Sequence, residues 1–184
     1  MSERRVALIT GAAKRLGRHL AGHLAGKGFH VLINYQSSQQ EADALVSEVQ
    51  QAGGSARAVR ADVSAKGQVA DMFADLTQRE GSLDLLINNV GNYTPGPIQD
   101  LSPDMWDECI SANLSGAYYC CYEARTLLEA TGGQIVNIGY AGLDLNPATP
   151  GAVAYQVSKV GLLSMTRSLA GALAPSVRVN MLSP

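Results

Sequence analysis

The feature that most constrains the fold of this chain is a repeated alternation of short apolar segments with amphipathic segments. The amphipathic segments have helical period: Ala42, Leu45, Val46 and Val49 follow the i, i+3, i+4, i+7 pattern. Apolar runs rich in β-branched residues predict strands at 6–10, 30–35, 56–60, 83–88, 134–138 and 177–182. Helices are predicted from about residue 16, from about residue 39, at 66–79, at 103–130 and around residue 155. Strand followed by helix, repeated, predicts an α/β fold with a parallel sheet covered on both faces.

Composition limits the class of protein. The 184 residues are enough for one domain with a sizeable core, and 46% hydrophobic and 16% charged residues are typical of a globular protein. A formal charge of −2 offers no broad basic surface, so we predict no nucleic-acid partner and no membrane association. No signal-peptide core follows the first residues, which favours a cytoplasmic protein.

Histidine and cysteine do not predict a metal site. His19 and His23 are four residues apart, but no third ligand is evident nearby. The three cysteines, Cys109, Cys120 and Cys121, lack metal-type spacing and are predicted to be buried thiols.

Two irregular segments interrupt the alternation. Residues 92–102 follow the fourth predicted strand and residues 139–152 follow the fifth, and both contain Pro and Gly. In an open α/β sheet, ligands bind at the carboxyl ends of the strands. We therefore expect substrate contacts in these two loops.

The turn between the first strand and the first helix is rich in small residues, with Gly11 and Gly17 at either end. Glycine permits close backbone approach, and the free amides at a helix start favour a phosphate. This pattern is compatible with a nucleotide pyrophosphate site, although the spacing differs from G-x-G-x-x-G. A strand-to-helix connection without a ligand is the alternative.

A tyrosine and a lysine lie four residues apart near the start of the last predicted helix. At this spacing, Tyr155 and Lys159 are neighbours on one helix face. A nearby cation favours phenolate, so we expect Lys159 to lower the pKa of the Tyr155 phenol and prepare it for acid/base chemistry.

Several motifs together resemble the short-chain dehydrogenase/reductase family. They occur in the family's order and approximate spacing: Thr10-Gly11-x-x-x-Arg15-x-Gly17, Asp62-Val63, Asn88-Asn89-Val90-Gly91, Asn113 and Tyr155-x-x-x-Lys159. The resemblance covers the whole chain, residues 1–184, as one domain. It implies a Rossmann-type doubly wound parallel sheet with helices on both faces.

The resemblance also implies a nicotinamide cofactor and the residues that contact it. Asp62 would accept a hydrogen bond from the adenine amino group, with helix N-capping as its alternative role. Asn88 is better explained as a link between neighbouring strands. The implied contact set is Gly11, Lys14, Arg15, Leu16, Gly17, Tyr35, Ser37, Ser38, Asp62, Val63, Asn89, Val90, Gly91, Tyr155, Lys159 and Pro184.

One departure from the family pattern bears on the cofactor. Arg15 stands where the family commonly has glycine. The same Lys-Arg variant occurs in the pteridine reductases. Arg15 and Lys14 suit an extra phosphate, and the second strand ends at Tyr35, Ser37 and Ser38 without an acidic residue. NADP(H) is therefore favoured over NAD(H), with a solvated Lys14 as the alternative.

By resemblance, the catalytic residues are Tyr155, Lys159 and Asn113. Tyr155 would donate a proton, Lys159 would bind the nicotinamide ribose, and Asn113 would hold a water chain or merely bond the local backbone. The usual serine is missing: Tyr140 falls in its place when the fifth strand is aligned, and Thr149 is a further candidate. Tyr140 is therefore the fourth predicted catalytic residue.

Substrate identity stays open between two classes. Tyr93 stands where pteridine reductases carry an aromatic that stacks on the pterin, although it could equally cover the nicotinamide or pack. Tyr93 and Tyr140 are the predicted substrate contacts, and a 3-oxoacyl carrier or small ketone is the competing substrate.

The resemblance implies two further expectations. Family members continue beyond the position of Pro184 with a substrate-covering segment and a seventh strand, so we expect the C-terminal strand and substrate segment to be missing and the chain to be a fragment. A nucleotide-binding or interaction module without turnover is then the competing hypothesis. We also expect a homodimer or homotetramer.

Overall fold

The computed structural model describes residues 5–145 and 148–184, and within them the chain forms one six-stranded sheet in the order β3-β2-β1-β4-β5-β6. Every strand pairs in parallel with its neighbours. The strands are β1 (Val6–Ile9), β2 (His30–Tyr35), β3 (Ser55–Arg60), β4 (Leu85–Asn88), β5 (Gln134–Ile138) and β6 (Arg178–Leu182). The α-helices are α1 (Arg15–Gly26), α2 (Gln39–Gln51), α3 (Lys66–Arg79), α4 (Pro103–Ile110), α5 (Gly116–Thr131) and α6 (Val153–Ala172).

Both faces of the sheet are buried, each in its own apolar core. Leu8, Leu32 and Leu86 belong to the core that includes α3 and α5. Alternate strand residues such as Ile9 and Ile33 belong to the core formed with α1 and α2. Strands covered on both sides read as continuous apolar runs. The predicted doubly wound parallel sheet is therefore confirmed.

The predicted helix at 103–130 is interrupted. The structure has α4, then a π-helical segment at Ser111–Ser115, then α5. The side chain of Asn113, inside this segment, bonds the backbone of Asn92 on both its amide and its carbonyl. Long-range bonds of this kind cannot be deduced from local periodicity, which continues unbroken through the segment.

The order of the strands creates the crevice. β1 lies between β2 and β4, and the chain leaves it in opposite directions toward β3 and β6. In doubly wound sheets ligands bind at this reversal, beyond the carboxyl ends of the strands. Among the described residues, no helix is both long enough and apolar enough to cross a membrane.

Candidate active site

A groove of about 920 Å³ runs along the carboxyl edge of the sheet. It is lined mainly by the residues that follow β1, β2, β3, β4 and β5, as the strand reversal requires. From the predicted contact set, the lining includes Gly11, Lys14, Arg15, Leu16, Gly17, Tyr35, Ser37, Ser38, Asp62, Val63, Asn89, Val90, Gly91, Tyr155 and Lys159. Pro184 is exposed after β6 and is not part of this lining.

The turn between β1 and α1, at the start of the groove, requires glycine at Gly11 and Gly17. Gly11 has φ +59°, and its amide donates to Asn34 Oδ1 at 3.2 Å. A Cβ on Gly17 would come within 2.7 Å of both Asn89 Nδ2 and the Gly11 carbonyl oxygen. No side chain caps α1 at Lys14, so the amides of its first turn keep their capacity to bind an anion. The turn therefore fits a pyrophosphate.

Arg15 adopts a backbone conformation that side chains rarely take. Its φ is +51°, the left-handed region that favours glycine. This explains physically why a glycine suits this position, and why arginine there comes at a cost in backbone energy. In the described part of the chain its exposed guanidinium has no ion-pair partner.

Lys14 forms an ion pair, whereas Arg15 forms none within the described residues. Lys14 Nζ lies 2.7 Å from Glu41 Oε1 in the first turn of α2. Lys14 was predicted to be either a phosphate contact or a solvated cation. In the structure Lys14 is exposed, lines the groove and pairs with Glu41, and its hydrogen bond lowers the pKa of Glu41; the phosphate contact stays a prediction.

Asp62 lies after β3 as predicted, but it is not a helix N-cap. The N-cap of α3 is Ala65, and no side chain bonds there. Asp62 Oδ1 accepts from the amide and hydroxyl of Ser64, and Oδ2 accepts from Gln36 Nε2 at 2.9 Å. The carboxylate is thus fixed at the groove wall beside Val63.

Asn88 and Asn89 have separate roles. Asn88 Nδ2 donates to Asn137 Oδ1 at 2.8 Å, so the predicted link between neighbouring strands is confirmed. Asn89 Nδ2 donates to the carbonyls of Thr10 and Gly11, which fixes the glycine turn against β4.

Lys159 is the most deeply placed charged group of the groove. Its side chain is 2% exposed, and Nζ donates to the Ile138 carbonyl oxygen at 2.8 Å. Burial lowers the pKa of Lys159 to about 8. A Cβ on Gly91 would lie 3.9 Å from Nζ, at ordinary van der Waals distance, so Gly91 borders the ammonium.

The pKa of Tyr155 differs from the prediction. It is raised, first by burial and then by Tyr140, Cys109 and Tyr93. Lys159 Nζ lies 5.8 Å from the centre of the Tyr155 ring, and its hydrogen bond goes to a backbone carbonyl. Helical spacing placed the two side chains together correctly, but the expected lowering of the Tyr155 pKa is wrong for this geometry.

Asn113 reaches the same centre from the π-helical segment. It is 1% exposed, its Oδ1 accepts from the Asn92 amide at 2.6 Å, and its Nδ2 donates to Ser158 Oγ at 3.1 Å. Ser158 Oγ in turn donates to the Tyr155 carbonyl oxygen at 2.7 Å. Asn113 therefore ties the loop after β4 to the first turn of α6.

Tyr140 and Tyr93 enclose Tyr155. The Tyr140 and Tyr155 ring centres are 5.8 Å apart, and those of Tyr93 and Tyr155 are 5.0 Å apart, edge to face. The Tyr140 hydroxyl donates to Gln156 Oε1, which also accepts from Thr149 Oγ1 at 3.2 Å. Thr149 thus reaches the cluster through Gln156.

Sequence reasoning missed Gln156 and Ser158. Both lie between Tyr155 and Lys159, and their spacing carries no separate signal, because their importance depends on residues 16 and 45 positions away that bond them. All three cysteines are free and buried, as predicted. Within residues 5–145 and 148–184 no group of three His, Cys, Asp or Glu side chains converges to hold a metal ion.

Comparison with known proteins agrees with this architecture. The family model described as short chain dehydrogenase matches residues 5–184. The 3-oxoacyl-(acyl-carrier-protein) reductase FabG of Staphylococcus aureus is 33% identical over 184 residues, covering 97% of this chain and 72% of that protein. A 3beta-hydroxysteroid dehydrogenase of Mediterraneibacter gnavus is 32% identical over 170 residues, covering 91% of this chain and 60% of its own length.

Solved structures share the fold closely. A metagenomic short-chain oxidoreductase in complex with NADP superposes with a TM-score of 0.92 at 30% identity, covering 99% of this chain and 82% of that one. A dehydrogenase/reductase from Sinorhizobium meliloti gives a TM-score of 0.92 at 31% identity, over 98% of this chain and 71% of that one. With its fold, its groove and these matches in agreement, the chain belongs to the short-chain dehydrogenase family of oxidoreductases.

Proposed function

We propose that this chain is an NADP(H)-dependent reductase in which Tyr155 donates a proton to the carbonyl or imine of a small substrate. The observation that carries the proposal is the placement of Tyr155 at the end of the groove, beside buried Lys159 and between Tyr93 and Tyr140. The NADP complex of the metagenomic relative supports this cofactor class.

The groove residues fit the cofactor chemically. The uncapped start of α1 would hold the pyrophosphate, and Asp62 with Val63 would bind the adenine. Exposed Arg15 would bind a 2′-phosphate, and no acidic side chain stands at the end of β2 to repel it. When bound, the reduced nicotinamide supplies the hydride for the substrate carbon.

The protein residues supply the proton. Because burial raises the pKa of Tyr155, its phenol is protonated at neutral pH and is ready to donate to a developing alkoxide. Lys159, with a pKa of about 8, exchanges protons readily near neutral pH and would return one to the phenolate. Asn113 would keep the first turn of α6 in place through Ser158.

Tyr140 would replace the usual serine as the polar group beside the substrate oxygen. In this geometry its only proton is donated to Gln156, so its oxygen could act toward a substrate only as an acceptor. Donation to a substrate would require the hydroxyl hydrogen to leave Gln156. Gln156 therefore sets the orientation and the polarity of Tyr140.

Two substrate classes are supported by different observations. The FabG relatives favour a 3-oxoacyl thioester. Tyr93, 59% exposed beside Tyr155, offers an aromatic surface to a planar heterocycle such as a pterin.

We also propose a cytoplasmic location. A homodimer or homotetramer is proposed because large side chains of α5 and α6 remain exposed in the single chain.

The test is NADPH oxidation against 3-oxoacyl thioesters, dihydropterins, quinonoid pterins and small ketones. We expect turnover with one class, loss of at least a hundredfold in kcat for Tyr155→Phe, and a smaller loss for Tyr140→Phe. An unchanged kcat in Tyr140→Phe would show that this hydroxyl is not catalytic. Tight NADPH binding without turnover across the panel would instead support a nucleotide-binding module.

A further inference from the structure

The groove wall formed by the starts of α1 and α2 carries a charge arrangement of which the proposed chemistry uses only Arg15. Two cations, Lys14 and Arg15, precede or begin α1, and both line the groove. Of these two cations, only Lys14 has an ion-pair partner among the residues that the structure describes: its Nζ lies 2.7 Å from Glu41 Oε1. Glu41 belongs to the first turn of α2, which follows Ser37 and Ser38 on the same wall.

This pair is exposed and easily exchanged. The side chains of Lys14 and Glu41 are 54% and 44% exposed, and ion pairs of this kind contribute little to stability. A phosphate monoester carries close to two negative charges and three acceptor oxygens, so it competes effectively with one carboxylate for an ammonium. Lys14 can therefore leave Glu41 when a phosphate enters beside it.

When Lys14 moves from Glu41 to a phosphate, the Glu41 carboxylate stays in the first turn of α2. The start of α2 is otherwise suited to an anion, because no side chain caps it at Ser38. A carboxylate in that first turn occupies the same favourable field and repels a second anion bound nearby. It acts against a phosphate twice, by holding Lys14 and by its own charge.

We propose that Glu41 is a specificity-determining residue that weakens binding of the 2′-phosphate by withholding Lys14 from it. The inference rests on the proposed NADP(H) site. Arg15 then provides the standing attraction for the phosphate, and the Lys14–Glu41 pair sets how strongly NADPH is preferred over NADH.

The chain offers a matched control on the same helix. Glu48 of α2 pairs with Arg18 of α1, with Glu48 Oε2 and Arg18 Nη2 2.5 Å apart. Glu48→Gln and Glu41→Gln make the same change in net charge, and each breaks one ion pair that α2 makes, with Arg18 of α1 or with Lys14 just before α1. Only Glu41 is bonded to a residue of the groove lining, since Arg18 does not line it.

The experiment measures Kd for NADPH, NADH, 2′,5′-ADP and 5′-AMP by calorimetry on wild type and on both variants. At low salt we expect Glu41→Gln to bind NADPH and 2′,5′-ADP roughly three- to tenfold more tightly, with NADH and 5′-AMP unchanged. Glu48→Gln should differ from wild type by less than twofold for every ligand. At high salt the gain should shrink, because exposed charges are screened.

A double variant identifies the route. In a Lys14→Ala background the gain from Glu41→Gln should shrink to the part caused by the charge of Glu41 itself, because Lys14 is no longer there to be released; a gain as large as in the wild-type background would overturn the withholding of Lys14. The inference is overturned by an equal gain for NADH, by an equal gain in Glu48→Gln, or by weaker NADPH binding in Glu41→Gln. A wild-type preference for NADH would contradict the cofactor proposal instead. The role of Glu41 would still be decided by the Kd for NADPH in Glu41→Gln compared with wild type.

Discussion

At the scale of single residues, Arg15 combines a strained backbone with an exposed cation at the groove. Its φ of +51° costs a non-glycine residue about 1–3 kcal/mol, and its guanidinium is not paired within the described part of the chain. The conformation is dictated by the turn that holds Gly11 and Gly17 in place. The proposed phosphate contact would explain why arginine occupies this position.

This predicts opposite effects on stability and binding for one substitution. Arg15→Gly should raise the free energy of unfolding by about 0.5–1 kcal/mol, because relief of the left-handed backbone outweighs the added flexibility of the unfolded chain. It should also weaken NADPH more than NADH. Arg15→Ala is the control: it loses the same cation but keeps the strained φ, so it should weaken NADPH without stabilising the fold. Urea unfolding and cofactor titration measure both, and equal stability of the two variants would contradict the strain argument.

Lys159 makes a second prediction at this scale. Burial lowers its pKa to about 8 from 10.5, so the unfolded state binds more protons than the folded state between these two values. Stability from this group is therefore lowest below pH 8 and rises as the pH increases toward 10.5.

Lys159→Met should therefore stabilise the fold at pH 7 by about 2 kcal/mol while abolishing turnover, because a buried charge is replaced by an apolar side chain of similar length. Between pH 7 and pH 9.5 the gap between variant and wild type should close by about 2 kcal/mol. Urea unfolding at the two pH values measures it. If the difference in free energy of unfolding between variant and wild type stayed constant with pH, burial would not lower the pKa of Lys159.

At the scale of elements, the π-helical segment Ser111–Ser115 connects two parts of the active site. Its Asn113 bonds the loop after β4 at Asn92 and α6 at Ser158. Segments of this kind occur inside helices at functional sites, where a side chain must be re-aimed. The extra residue in the turn lets the amide of Asn113 face inward between α4 and α6.

Asn113→Ala should destabilise the chain by about 2–3 kcal/mol, because the amide of Asn92 and the hydroxyl of Ser158 lose a buried partner. Hydrogen exchange at Asn92 should become faster, and kcat should fall more than NADPH affinity. Ser158→Ala removes one of these bonds and should cost less. Unchanged exchange at Asn92 would contradict the connecting role.

At the scale of the whole molecule, the sheet has a complete core on each face, yet large apolar side chains remain outside. Tyr118 and Tyr122 of α5 are 48% and 50% exposed, and Val157 of α6 is 44% exposed. Arg125 lies over the Tyr122 ring at 3.9 Å. Exposed aromatic and arginine side chains are enriched at interfaces between proteins.

Tyr118→Ser combined with Tyr122→Ser should shift the mass in solution toward the monomer, because these rings would be lost from the proposed interface between copies. Light scattering at several concentrations measures the mass, and circular dichroism checks that the fold is retained. A monomeric wild-type chain would contradict the oligomer, and an unchanged oligomer in the double variant would place its interface elsewhere.

The sequence by itself determined the alternation of strands and helices, the parallel sheet, and the residues that meet at its carboxyl edge. These follow from local periodicity and from motifs whose spacing is short, such as Tyr155 with Lys159. Only the tertiary structure decided how these groups are tuned. Burial raises the pKa of Tyr155, and the carbonyl of Ile138 takes the ammonium expected to lower it. Three pairings join residues distant in sequence: Lys14 with Glu41, Tyr140 with Gln156, and Asn113 with Ser158. Periodicity carries no record of such contacts, because they arise only when separate elements pack.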